Sequence, residues 1–227
     1  MIVLSTAYMA PVAYYAVMMH GENVCIEAHE NYQKQSYRNR CIVGSEQGPQ
    51  CLSVNVVAGN SKQLITDVQI SDHADWQHQH EEALATNYGN SPFYEYYIDE
   101  LLEVLHKGHD GTLFSLNENM RRKLCELIGM EDRVSYTDDY VVATATEETP
   151  VVLSAQGQEE SLIDLRITLH PKRPLELAVP QFCPISYYQI SGVGGRQPFM
   201  PNLSILDLLF NMGPESILVL RDSWRTT

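Results

Sequence analysis

A strand, a helix and a second strand fit inside the first 28 residues, and no other feature of the chain limits its fold so much. Residues 2–5 (IVLS) read as a short strand. Pro11 suits the first turn of a helix through VAYYAVMMH, and Gly21 closes it. That helix is apolar nearly all round, so it is expected to be buried. VCIEA (24–28) then reads as the next strand. Strands joined through a helix lie parallel, and the crossover is right-handed. A sheet that begins this way is covered by helices and presents its loops at the strand ends.

The residues that follow are unusually polar. His29 to Val43 (HENYQKQSYRNRCIV) carries His29, Asn31, Gln33, Arg38, Asn39 and Arg40 between two apolar strand segments, 24–28 and 41–43. Hairpin loops usually run about 2–5 residues, so this connection is too long for a plain turn. Polar groups mounted between sheet strands are held on a rigid frame, as binding and catalytic groups usually are. The competing reading is an ordinary hydrated loop.

Further on, CLSVNVV (51–57) and ITDVQI (65–70) alternate with period two, and SEQGPQ and AGNSKQ supply turns. The expectation is an antiparallel meander. The period then becomes helical. Trp76, His80, Ala83, Leu84 and Asn87 share one face. Ser91 and Pro92 are expected to open a second helix with the stripe Phe93, Tyr97, Leu101, Val104 and Leu105. Ser115–Glu118 reads as a capping box before Leu116, Met120, Leu124, Leu127 and Ile128. SLIDLRITL (161–169) and PISYYQIS (184–191) are strand candidates, and Asn202 is the expected cap of a last helix, LSILDLLFNMG. The fold class expected is α+β. It has a mixed sheet that starts with a βαβ unit and an antiparallel meander, and a three-helix layer inserted at about 75–129. With no repeat or flexible linker, residues 1–227 read as one domain, the helices forming a subdomain.

Charge narrows the function. The chain has a formal net charge of −14, which repels nucleic-acid backbones and anionic membrane surfaces. No nucleic-acid partner is expected. The apolar N-terminus lacks a basic leader and is interrupted by Pro11, and no stretch is long enough to span a bilayer. Membrane insertion is therefore not expected, and the expected location is the cytoplasm. Five cysteines without a CxxC read as free thiols. Lys34, Arg38 and Arg40 form a positive island in this negative field. It suits a small anionic group, or the pairing of nearby carboxylates.

Chemistry-bearing patterns are sparse. His73, His78 and His80 lie close together, but His78 and His80 point to different helix faces and no zinc spacing is present. No metal and no cofactor are expected. No G-x-S-x-G elbow, P-loop or dinucleotide fingerprint occurs, and Gly192–Arg196 reads as a turn. Cys41 follows Arg40, a cation that would lower its pKa, yet no motif pairs it with a base. His80 shares a face with Trp76 and Leu84. It reads either as a packed core histidine or, near Arg40 or His29, as a general acid or base.

Five blocks in order resemble the WbqC-like family, a bacterial family of surface-polysaccharide (O-antigen) gene clusters. They are STAYMAPVAYY, HENYQKQSYRNR with its following strand, CLSVNVV, ADWQHQHEEALATNYGNSPFYEYY and ISYYQI…FMPNLSILDLLFNMGPES. The chain departs from the family at His80–Glu81, where His-Trp is usual, and at Thr6–Ala7, where Gln-Pro is frequent. The resemblance implies transfer of an acyl or aminoacyl (glycine) group to an amino sugar. The alternative is a non-catalytic carbohydrate- or partner-binding protein of the same pathway. The partner implied is a small molecule or nucleotide-sugar. Carried over block by block, the resemblance marks His29, Asn31, Gln33, Arg38, Asn39, Arg40, His80 and Tyr88. In the transfer reading Arg38 and Arg40 are expected to hold a phosphate or carboxylate, His80 or His29 to take the amine proton, and Asn31, Gln33, Asn39 and Tyr88 to bind ligand. It also draws attention to Trp76, Asn202 and Asp207.

Overall fold

In the computed structural model the first strand, β1 (Ile2–Ser5), helix α1 (Val12–His20) and strand β2 (Val24–Glu27) form the expected crossover. The structure describes residues 1–57, 62–142, 151–153, 159–190 and 198–225. β1 and β2 are parallel in the register Ile2↔Val24 to Ser5↔Glu27. Residues Val12 to Met18 of α1 are all buried, as a helix without a polar face requires. Val12 opens that helix next to Pro11, which donates no hydrogen bond.

Two further strands complete a four-stranded parallel sheet in the order β5–β2–β1–β8. β5 (Ser135–Tyr136) lies beside β2, and β8 (Ile163–Asp164) lies beside β1. β3 (Arg40–Ser45) and β4 (Gly48–Ser53) form a separate antiparallel hairpin with Glu46 and Gln47 at its tip. Gly48 sits at φ +109°, a conformation that L side chains rarely adopt, so the turn needs this glycine. The tight turn starts β4 three residues earlier than the alternation at 51 suggests. β6 (Val151–Leu153) and β7 (Glu159–Ser161) pair as a second antiparallel hairpin. The fold is α+β, with parallel and antiparallel sheets.

The segment 65–70 contributes no ladder. Ile65–Asp67 is a 3-10 turn, and single bridges join Ile70 to Val56 and Gln69 to Thr112. Its backbone donors and acceptors are split between two neighbours, 55–57 and 111–113, so neither builds a strand pair. Segment 184–190 likewise forms no strand; Ile190 N donates to the Asn211 side chain instead. Residue 191 of that expected strand lies outside the described residues.

The helical layer is α2 (Trp76–Tyr88), α3 (Tyr94–Lys107) and α4 (Leu113–Ile128). Its caps differ from the expected ones. α3 starts after Phe93, while the Ser91 hydroxyl turns to Asn211. α4 is capped by Thr112, whose hydroxyl accepts from Ser115 N, and Glu118 is buried by the sheet. After α5 (Leu175–Ala178) come α6 (Ile205–Met212) and α7 (Ser216–Asp222). Ser204, not Asn202, caps α6. Asn202 accepts instead from Ala13 N, 2.9 Å away, and so caps α1 from across the molecule. Buried side chains of the sheet, the helical layer and α6 belong to one contiguous hydrophobic cluster.

Candidate functional site

Parallel sheets tend to bind ligands just beyond the carboxyl ends of their strands, where loops diverge and helices do not block access. Here those ends carry charge. β2 ends in Glu27, β8 ends in Asp164, and Arg166 follows two residues later. Arg166 donates from Nη1 to Glu27 Oε2 at 2.9 Å, from Nε to Asp164 Oδ1 at 2.9 Å and from Nη2 to Asp164 Oδ2 at 2.7 Å. Glu27 is fully buried, but Thr137 Oγ1, His29 N and Val141 N also donate to it, at 2.7, 2.8 and 2.8 Å. A buried carboxylate needs such saturation, because desolvation otherwise disfavours its charge.

A second pair lies alongside. Arg38 forks onto Glu30, with Nε 2.8 Å from Oε1 and Nη2 on Oε2. Arg38 Nη2 also reaches the Arg166 carbonyl at 3.4 Å, and Ser5 Oγ donates to that carbonyl at 3.3 Å. Burial pushes the Glu30 pKa above its usual range, and the bonds and charge of Arg38 pull against that shift. Thr6, at the start of the loop after β1, donates to Glu118 at 2.7 Å, and Glu118 in turn accepts from Arg121 at 2.8 Å. The strand ends thus hold a network of ion pairs shut away from water.

A cavity of about 290 Å³ opens on this network, lined among others by Glu30, Asn31, Gln33, Tyr140, Asp164 and Arg166. The Tyr140 ring covers the Arg166 guanidinium at 4.9 Å. Among the described residues, no group of three or more His, Cys, Asp and Glu side chains is placed to hold a metal ion. No helix of the described residues is long and apolar enough to cross a membrane.

The family model described as the WbqC-like protein family matches residues 6–219. The chain belongs to this family. Uncharacterized protein Rv1507c of Mycobacterium tuberculosis (strain ATCC 25618 / H37Rv) is 29% identical to it over 195 residues, covering 82% of this chain and 81% of that protein. No solved structure is significantly similar.

In this WbqC-like chain the polar stretch 29–40 divides in function. Asn31 and Gln33 are exposed and line the strand-end cavity. Arg38 lies beneath it at 1% exposure. The alternative role of the positive island, pairing carboxylates, is therefore the one Arg38 fulfils. His29 is exposed, with Nε2 3.1 Å from the Thr137 carbonyl, and its N–H belongs to the Glu27 cluster. Asn39 donates to the Val54 carbonyl at 3.1 Å. Arg40 starts β3 on the hairpin, and its Nε is buried without a hydrogen-bond partner.

His80 and Tyr88 lie elsewhere. His80 is 4% exposed, with Nδ1 2.9 Å from the Tyr8 hydroxyl and its ring against Trp76. Burial lowers its pKa to about 4, against a backbone hydrogen bond at Ser53. Tyr88 is fully buried; its hydroxyl donates to Asp207 at 3.0 Å and accepts from Gly44 N at 2.8 Å. Tyr187 and Gln189 also donate to Asp207, so this carboxylate joins α2, α6, β3 and the 187–189 segment. Neither His80 nor Tyr88 lines the strand-end cavity. Burial also pushes the Cys41 thiol up, opposite to the shift its neighbour Arg40 would favour.

Glu27, Glu30, Asp164, Arg166 and Arg121 are not marked as site residues by the sequence, and Glu118 is marked there only as part of a capping box. Three of these positions carry a signal. Glu27 ends an otherwise apolar strand at a depth where only a paired carboxylate is tolerated. Asp164 and Arg166 flank the buried Leu165, and the buried Leu162 lies two residues before Asp164, so the two charges stand in a segment that goes into the core.

Proposed function

We propose that this chain recognises an amino sugar at the carboxyl ends of β1, β2 and β8 and serves in assembling a surface polysaccharide. One observation carries the reading: the strand-end cavity is lined by carboxylate, carboxamide and phenol groups, and its guanidinium, Arg166, is already neutralised by Glu27 and Asp164. Such a wall offers acceptors to hydroxyls and to an ammonium, and among the described residues it has no spare cation for a phosphate. The Tyr140 ring and Ile167 supply the apolar surface against which a sugar face packs. The test is calorimetry of the full chain with glucosamine, glucose and N-acetylglucosamine. Glucosamine should bind most tightly, and Asn31→Ala or Gln33→Ala should weaken it several-fold. Equal heats for all three sugars, or none, end this reading.

A second reading, transfer of an acyl or aminoacyl group to the sugar amine, is favoured by His29. This exposed imidazole stands one residue before Glu30, with Nε2 3.1 Å from the Thr137 carbonyl, and the residue's backbone N–H donates to Glu27. It is a better placed proton acceptor than His80, whose ring is sealed and neutral at pH 7. Incubation with nucleotide-linked amino sugars and acyl donors, followed by mass spectrometry, tests it. Turnover that survives His29→Ala removes His29 from the mechanism, and sugar binding without turnover leaves recognition alone.

A further inference from the structure

The segment leaving β8 lines two cavities in succession. Asp164, Arg166 and Ile167 face the strand-end cavity. Thr168, Leu169, His170 and Arg173 line a second one of about 460 Å³. That volume lies within the roughly 300–1,000 Å³ of small-molecule sites. Its far side is apolar, formed by Leu175, Phe199, Met200 and Leu203.

The polar side of this second cavity differs from the first in its free cation. Arg173 is exposed and, among the described residues, has no ion-pair partner. Ile42 of β3 and Tyr37 complete the wall on the hairpin side. One carboxylate, Glu176, is also on the wall, exposed at its rim. Burial and then the charges of Arg173, Arg38, Lys172 and Arg40 push the His170 imidazole on this wall below its usual pKa. In a chain of net charge −14, Arg173 on the same wall is a local positive charge.

We propose that this second cavity binds a small molecule with an anionic head, a phosphate or a carboxylate, held by Arg173, and an apolar body packed on Phe199, Met200 and Leu203. The proposal does not depend on amino-sugar recognition at the strand ends. Because residues 164–173 line both cavities, a ligand in each would lie against the same short segment. A transferase needs that arrangement for donor and acceptor, and a binding protein could use it for coupling.

The experiment is calorimetry of the full chain with four probes: phenyl phosphate, phenylacetate, benzyl alcohol and inorganic phosphate. The two ring-bearing anions should bind, the stronger of them naming the head group, and benzyl alcohol and bare phosphate should bind at least tenfold more weakly. Arg173→Gln, at an exposed position, should weaken the ring-bearing anion about tenfold or more through loss of a charge-assisted bond. Glucosamine titrations should be unchanged in Arg173→Gln. Binding of the ring-bearing anions that is unchanged in Arg173→Gln overturns the proposal. So does benzyl alcohol binding as tightly as the anions, or no heat from either anion.

Discussion

Replacing Arg38 with methionine keeps most of the buried stem and removes the guanidinium. In the native protein Arg38 makes two bonds to Glu30 and a third to the Arg166 carbonyl, at 1% exposure. The variant leaves the Glu30 carboxylate buried with only the Ser5 hydroxyl, at 3.5 Å, as a side-chain donor. Removing one partner of a buried pair typically costs about 3–5 kcal/mol, against a total stability of about 5–15 kcal/mol for a domain. The sign of the pH dependence follows from Glu30. Its folded pKa already lies above the usual value of 4.5, so its ionisation weakens the fold as pH rises past that point, and Arg38 limits the loss. Without Arg38 the folded pKa climbs further. The full penalty therefore appears at pH 8 and shrinks as pH falls towards 5 and the buried carboxyl takes up a proton. Urea denaturation of the wild type, Arg38→Met and the double variant Glu30→Gln/Arg38→Met at pH 5 and 8 measures this. The double variant should be more stable than Arg38→Met at pH 8, because the orphaned charge is gone. A loss below about 1 kcal/mol, an equal loss at both pH values, or a double variant weaker than the single one refutes the reasoning.

The His80 imidazole should not titrate between pH 5.5 and 8 in histidine-resolved NMR; a midpoint above 6 would contradict its burial. Because its folded pKa of about 4 lies below the usual 6.5, His80 contributes stability that is present above pH 6.5 and lost as pH falls to 4, about 3 kcal/mol at 1.36 kcal/mol per pH unit. His80→Gln should flatten that part of the stability–pH curve. Asn202→Ala should lower stability by about 1 kcal/mol through loss of the α1 cap, more if the +59° φ at this position strains alanine. Thr112→Ala should cost about 1 kcal/mol while Ser115→Ala costs less, the reverse of what a capping box at Ser115 requires. Denaturation midpoints decide both.

The β1–α1–β2 unit was legible because each boundary has a local cause: Pro11 opens the helix, Gly21 closes it, and no polar face confuses the period. The helices of 76–128 were legible from stripes several turns long. β5 was not, since two residues carry no period and their strand character comes from the neighbour they meet, and of the strand expected at 161–169 only Ile163–Asp164 joins the sheet, as β8. Caps failed where a distant group competed: Ser91 found Asn211 and Asn202 found α1. The polarity of 29–40 pointed to a segment that supplies Asn31 and Gln33 to the strand-end cavity, but polarity does not distinguish an arginine free to meet a ligand from one that meets Glu30. The partners that complete the network, Asp164 and Arg166, come from the far end of the sequence, where spacing has nothing to say.

The pairing of Ile2 with Ile163 has a consequence for biosynthesis. At about 5–20 residues per second, the ribosome needs on the order of ten to thirty seconds to deliver β8 after β1 has emerged. Throughout that interval one edge of the growing sheet is open to other strands, and Glu27 awaits its guanidinium. Contacts spanning so much chain are slow to form. A product truncated before Asp164 would contain the residues of α1–α4 and of the first crossover, yet it would be sticky along one side, lack α5–α7 and have no strand-end cavity. Chaperone demand and yield should therefore depend on how promptly the last third of the chain is made.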